Sequence, residues 1–252
     1  MDLSLDLAWL EPVMLAGVRM VAFIVIAPPF SYNAFPARIK AMLALGLAVA
    51  VSPAVTAGYR PMDTGGFFGA LVLEVVVGVV LGFLVFVVFA AVQSAGSLID
   101  LFSGFQMAQA FDPQSMVNGA QFTRLFQMSA LALMFSSDAY QLILTGLTRS
   151  FDSIPLGGGL AMAEPAAAAV QAVTGMFLSA VQIAGPLLVV LFLADVGLGL
   201  LNRVAPALNA FALGFPLKIL LTLTLGSVVF LALPRIISSL TQEALSTMME
   251  VM

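Results

Sequence analysis

The chain has 252 residues, 62% of them hydrophobic and 9% charged, and its mean hydropathy is +1.12. Soluble domains carry about a quarter charged residues, so this composition excludes a soluble class; a net charge of −4 implies no nucleic-acid partner and provides no polybasic segment to grip anionic lipid. With no cysteine and no histidine, thiol chemistry, disulfides, thiolate metal sites and imidazole acid–base work are all removed. Several apolar runs reach the roughly 20 residues that cross hydrocarbon as a helix, and no soluble domain is attached to them. The predicted class is an all-α polytopic membrane protein forming one domain over residues 1–252.

The opening MDLSLDLAWLEP is acidic and lacks the basic n-region of a cleavable signal peptide, so it is expected to be a mature N-terminus. The first apolar run, Pro12 to Pro28, holds Arg19 near its middle. A central arginine costs about 3 kcal/mol in lipid unless it pairs or faces a polar interior. Pro28-Pro29 stops the run. A second run, Ile39 to Ala57, is expected to bend or end near Pro53. The third, Phe67 to Val92, contains Glu74, and Gly78 and Gly82 make a G-x-x-x-G spacing that lets another helix approach closely. Glu74 lies four residues before Gly78 on the same face, which predicts burial against protein rather than lipid.

Beyond Val92 the chain turns polar without becoming a solvent loop. Gln93, Ser97 and Asp100 follow helical spacing and put a polar stripe on one face. Gly104 interrupts; Phe105, Met107, Phe111 and Met116 are interleaved with Gln106, Gln109, Gln114 and Asn118, and Asp112-Pro113 forbids simple continuation of a helix. Irregular backbone of mixed chemistry at membrane depth is tolerated where protein encloses it or where it lines a cavity. Residues 104–118 are therefore read as a non-helical insert in a protein-walled passage.

The next run, Phe122 to Leu147, is polar enough to suggest a hairpin bending near Ser136-Ser137-Asp138. RSFDSIPLGGGLAMAEP reads as an aqueous loop. Ala166 to Leu201 is expected to break at Gly185-Pro186. A second non-helical joint is predicted over about 202–217, where Pro206 and Pro216 remove backbone donors and Asn202 and Asn209 can satisfy freed backbone groups. The last run, Leu217 to Leu233, is expected to stop at Pro234-Arg235, leaving an amphipathic tail.

Two segments carry a family resemblance. LGLLNRVAPALNAFALGFPLK, residues 198–218, closely resembles the signature segment of the FliR family of flagellar biosynthesis proteins. AAVQSAGSLIDLFSGFQMAQAFDPQS, residues 90–115, is similar to that family's central segment, Asp-Pro included. Arg19, APPF, FPARIK, Pro53 and Ile154-Pro155-Leu156-Gly157 extend the resemblance along nearly the whole chain. One position departs: Ala207 stands where the family has Gln, so no hydrogen bond at that position is carried over. The resemblance implies a subunit of the type III export gate in the bacterial cytoplasmic membrane and flagellar basal body. Such a subunit assembles with FliP and FliQ into a helical pore complex with FlhB at its cytoplasmic entrance, and unfolded flagellar proteins pass through it. It also implies that the central segment plugs the closed pore, with Phe105, Gln106, Met107, Phe111, Asp112, Pro113 and Met116 as the plug.

Each candidate has a plainer reading beside the functional one. Phe105, Met107, Phe111 and Met116 are a deformable seal or ordinary interhelical packing. Asp195, Arg203 and Lys218 are a proton relay or, preferably, structural pairs across subunits, since no His or carboxylate chain accompanies them. Arg19, Glu74, Gly78, Gly82, Asp100, Asn202, Pro206, Asn209 and Pro216 complete the structural or subunit-contact set. Because Glu74, Asp100, Asp138 and Asp195 have few basic residues nearby in sequence, neighbouring chains are expected to supply their partners. No nucleophile, metal cluster, cofactor site or phosphate loop is found, so the chain is read as not an enzyme. The alternatives are the equivalent gate subunit of a virulence secretion system, or a secondary transporter with a site at its broken helices.

Overall fold

A computed structural model describes residues 7–32, 35–105, 120–159, 163–205 and 210–252. Among these there are seven helices and no strand: α1 Leu7–Ile26, α2 Ala37–Thr56, α3 Thr64–Ser103, α4 Gln121–Ser136, α5 Ala139–Ser153, α6 Ala163–Val204 and α7 Ala210–Glu250. Five of them, α1, α2, α3, α6 and α7, are long and apolar enough to cross a bilayer, or six spans result if α4 and α5 together count as one. The chain is an all-α multi-pass membrane protein.

Local chemistry explains several helix ends. Asp63 accepts the Gly66 N–H at 3.3 Å and starts α3. Gly104, at φ 83°, ends it in the left-handed region, and Gly58, at φ 80°, follows the C-cap of α2 in the same way. The expected bend at 136–138 is present as a break in the helix. Ser137 caps α4 by donating its N–H to the Leu133 carbonyl, and Asp138, at φ 55°, starts α5.

The prolines overturn several expected stops. α6 runs uninterrupted through Pro186, and α7 through both Pro216 and Pro234, so the helix does not end at Pro234-Arg235. A proline inside a helix removes one backbone donor and crowds the preceding turn; helices of 42 and 41 residues continue across that local loss. The helix ending at Val204 is α6, and α7 begins at Ala210 with Pro216 inside it. Pro206, Ala207 and Asn209 lie outside the described residues.

α3 is also longer than its apolar run, because the stripe of Gln93, Ser97 and Asp100 continues the helix to Ser103. At 1.5 Å per residue, its 40 residues extend about 60 Å, and α6 and α7 are as long. That is about twice the hydrocarbon thickness of a bilayer.

The helices pack as two compact units. The first comprises Met1–Val88, Asp138–Val173 and Leu240–Met252; the second comprises Phe89–Ser137 and Thr174–Ser239. The first unit buries Leu15, Met20, Phe23, Ile24, Leu81, Leu84, Ile143 and Leu147. In it α1 and α3 approach closely: a Cβ on Gly78 would fall on the Arg19 carbonyl oxygen, and one on Gly82 would lie 3.1 Å from the Phe23 carbonyl oxygen. The second unit buries Ile99, Phe126, Met134, Leu187, Leu191 and Leu233. Along it runs a chain of ring contacts, Phe105–Phe122 at 5.7 Å, Phe122–Phe126 at 6.2 Å and Phe126–Phe230 at 5.5 Å. α6 and α7 leave large apolar side chains exposed, Phe177, Phe192, Leu193 and Leu231 among them. In a membrane-spanning chain such surface faces lipid tails or neighbouring chains.

Candidate functional site

Three polar clusters sit in this apolar frame. The first is built on Arg19, which is 0% exposed. Its Nε donates to Glu74 Oε2 at 2.6 Å and its Nη2 to Glu74 Oε1 at 3.2 Å, a two-pronged pair in which Glu74 is 1% exposed. Nη1 donates to the Ser150 carbonyl at 3.1 Å and to Ser150 Oγ at 3.2 Å, and Nη2 to the Ile154 carbonyl at 2.9 Å. Glu74 Oε1 also accepts the Gly157 N–H at 2.8 Å, and the guanidinium lies 4.3 Å from the Phe151 ring centroid. α1 supplies the cation, α3 the anion, and the end of α5 with its following turn supplies the remaining acceptors. All five N–H groups of Arg19 and both carboxylate oxygens of Glu74 find a partner, the condition under which a buried pair is tolerable.

The second cluster is Asp100, also 0% exposed. Oδ1 accepts the Phe122 N–H at 2.8 Å; Oδ2 accepts the Thr123 N–H at 2.8 Å and the Thr123 hydroxyl at 2.7 Å. Helix N-termini need acceptors for their free N–H groups and favour negative charge. The N-cap of α4 is Ala120, which has no side-chain acceptor, and Asp100 supplies one from α3. Gly96, one turn earlier, makes the approach possible: a Cβ there would stand 2.7 Å from the Thr123 Cα.

The third cluster is the ion pair Lys218 Nζ–Asp195 Oδ1, at 2.6 Å between α7 and α6. Its side chains are 18% and 46% exposed respectively. The pair opens onto a cavity of about 260 Å³ lined also by Leu198, Asn202, Gly214 and Phe215. Arg203 is exposed on α6.

The expectation that other chains supply the missing charges is therefore corrected for Glu74, Asp100 and Asp195: Arg19, the α4 N-terminus with Thr123, and Lys218 are their partners within the chain. Sequence distance hid this, since the Arg19 and Glu74 positions are 55 apart and those of Arg19 and Ile154 are 135 apart. The segment read as an aqueous loop is corrected as well. Residues up to Ser153 belong to α5, and Ser150, Phe151 and Ile154 are buried around the arginine.

A smaller cluster ties the α2–α3 connection to the second turn of α1. Tyr59 donates its hydroxyl proton to Glu11 Oε1 at 2.7 Å, and the same oxygen accepts the Met62 N–H at 3.2 Å. Burial pushes the Tyr59 phenol well above its ordinary range, and the hydrogen bond and charge of Glu11 push it further in the same direction.

Against known proteins, the model of a family described as bacterial export proteins, family 1, matches residues 10–244. The chain belongs to this family. It is 32% identical over 240 residues to the flagellar biosynthetic protein FliR of Escherichia coli, covering 95% of this chain and 90% of the relative. It is likewise 32% identical to the flagellar biosynthetic protein FliR of Bacillus subtilis, over 94% and 93% of the two chains. The Yop proteins translocation protein T of Yersinia pestis is 29% identical over 79% of this chain and 78% of its own length.

In this bacterial export protein, the residues singled out from sequence are distributed as follows. Arg19, Glu74, Gly78 and Gly82 come together at the α1–α3 contact. Asp195, Asn202 and Lys218 share one cavity. Phe105, read as part of a seal, contacts the Phe122 ring and is half-buried. Gln106, Met107, Phe111, Asp112, Pro113 and Met116 lie outside the described residues. Ser150, Phe151, Gly157, Gly96, Thr123 and the Tyr59–Glu11 pair were not singled out. Of these, Gly96 and Gly157 sat in segments, residues 90–115 and IPLG, to which the family resemblance drew attention.

Proposed function

We propose that this export-family protein is a subunit of the flagellar type III protein export gate in the bacterial cytoplasmic membrane, within the flagellar basal body. It assembles with FliP and FliQ into the pore through which unfolded flagellar proteins leave, with FlhB at the cytoplasmic entrance. The insert of about 104–118 plugs the closed pore. It acts as a structural component and has no enzymatic role.

The observation that carries this reading is the match of residues 10–244 to the export family, together with 32% identity to two flagellar proteins over nearly the whole chain. The Escherichia coli and Bacillus subtilis flagellar proteins are 32% identical to the chain over 94–95% of it, against 29% over 79% for the Yersinia protein, which favours the flagellar over the virulence assignment. Helices about twice as long as a bilayer needs support a wound assembly over a simple bundle of spans. So does the exposed apolar surface of α6 and α7.

Purification in mild detergent tests it. A gate subunit comes out with FliP and FliQ, whereas a secondary transporter is stable alone or as a homo-oligomer. A well-behaved isolated monomer counts against the gate. For the plug, removal of residues 106–118 leaves an assembled gate that leaks small ions, because hydrophobic constrictions close pores by excluding water. Phe111→Ser produces the same leak more weakly. A shortened gate as tight as the wild type removes the plug from the proposal.

A further inference from the structure

The central insert leaves the frame at the end of α3 and rejoins it at the start of α4, and one carboxylate joins those two points. Asp100 sits in the last turn of α3, four residues before Gly104, and holds the second and third residues of α4 by three hydrogen bonds of 2.7 to 2.8 Å. Its carboxylate is fully buried, which strengthens these bonds. Its geometry is that of an N-cap, but the residue that would ordinarily provide the cap, Ala120, cannot. A helix needing only a cap obtains one more simply from its own N-cap residue. Supplying it from another helix adds a constraint that a local cap lacks: the capped end is tied to the capping helix. Gly96 reinforces this, since any side chain there would push the Thr123 backbone away. The Phe105–Phe122 ring contact closes the junction from the insert side.

We infer that Asp100 is the positioning residue of the central insert: by capping α4 from α3 it sets the separation of the two ends between which the insert runs. The ends of α3 and α4 then stay together at the base of the insert. The consequence for leakage rests on the plug reading given above; the consequence for the stems does not.

The absence of cysteine makes the test direct. Leu101→Cys and Leu125→Cys place spin labels at two exposed positions, one on each stem, in the gate co-purified with its partners. Wild type gives a single narrow distance. Asp100→Ala loses that narrow peak, and Asp100→Asn, which keeps one carbonyl acceptor, retains part of it. The decisive variant combines Asp100→Ala with Ala120→Asp. This restores a cap to α4 without the tie to α3, so it recovers assembly while the distance stays broad and the gate leaks ions. If it recovers the wild-type distance, Asp100 is only a cap and the inference is overturned. Should Asp100→Ala fail to assemble, the double variant and Asp100→Asn still decide. Broad distances in a tight gate retain the positioning role and remove the plug. Wild-type distances in the Asp100 variants, with a leak on deletion of 106–118, do the reverse.

Discussion

Two ion pairs in this chain have the same N–O distance, 2.6 Å, and carry different weight. Arg19–Glu74 is sealed, at 0% and 1% exposure, and is tied by further hydrogen bonds to Ser150, Ile154 and Gly157. Lys218–Asp195 has one ion-pair contact among the described residues, is 18% and 46% exposed, and lies at the mouth of a cavity. The difference teaches that distance alone does not measure an ion pair. In the sealed pair, losing one member strands a fully buried charge; in the open pair, the remaining charge still borders the cavity.

The largest expected effect comes from breaking the sealed pair. Arg19→Leu or Glu74→Leu leaves one buried charge uncompensated and destabilises the chain by about 3–5 kcal/mol, measured as a fall in the melting temperature of the purified gate. Arg19→Lys does not rescue it, because an ammonium has three donors and no planar fork to meet five acceptor contacts. The double variant Arg19→Met/Glu74→Leu is less harmful than either single change, since no charge remains stranded. If all three variants are equally unstable, the pair contributes through packing, and the contrast with Lys218–Asp195 fails.

Next is the contact that brings the sealed pair together. Gly78→Val places its Cβ on the Arg19 carbonyl oxygen and 2.8 Å from the Ala22 Cβ, both in the packed α1–α3 contact. The change costs about 1–3 kcal/mol of overpacking and separates the helices that carry the two charges. The same exchange at Gly197, whose Cβ would meet nothing within 4 Å, costs less. Equal losses at the two glycines would show that the α1–α3 contact is looser than described.

The Tyr59–Glu11 bond is an intermediate case, half-buried with one charged partner. Tyr59→Phe costs about 1 kcal/mol near neutral pH. The folded-state phenol value is raised, so this contribution is fully present below the unfolded value of about 10 and declines as the pH rises beyond it. The difference between the two proteins should therefore be constant across neutral pH and shrink in strong alkali. The smallest effect belongs to the open pair: Asp195→Asn or Lys218→Met changes stability by about 0–1 kcal/mol and less in high salt. A loss as large as that of Arg19→Leu would mean that the pair is enclosed in the assembled gate.

What could be read without the fold follows from composition and spacing. An all-α membrane class follows from 62% hydrophobic and 9% charged residues, and the close helix face at Gly78 and Gly82 from their four-residue spacing. The interruption at Gly104 follows from the one residue type that enters the left-handed region without cost, and the break at 136–138 from a short polar cluster inside an apolar run. These are local signals, carried by residues within a turn or two of one another. Helix continuity through Pro186, Pro216 and Pro234 was misread, because a proline states only that one donor is missing, and whether the helix survives that loss depends on the rest of its ladder and packing.

The partners of the charges were beyond the sequence for a different reason. Arg19 finds Glu74 and Ile154, and Asp100 finds Thr123, through contacts that exist only once the helices lie side by side. No pattern along the chain marks Ser150 or Ile154 as the residues whose carbonyls receive a guanidinium, since every residue has a carbonyl and only packing selects which ones are left facing it. The sequence by itself determined that charges would be buried in an apolar frame and would need neutralising. The tertiary structure decided that the chain neutralises Glu74, Asp100 and Asp195 itself, because burial and pairing are properties of neighbours in space.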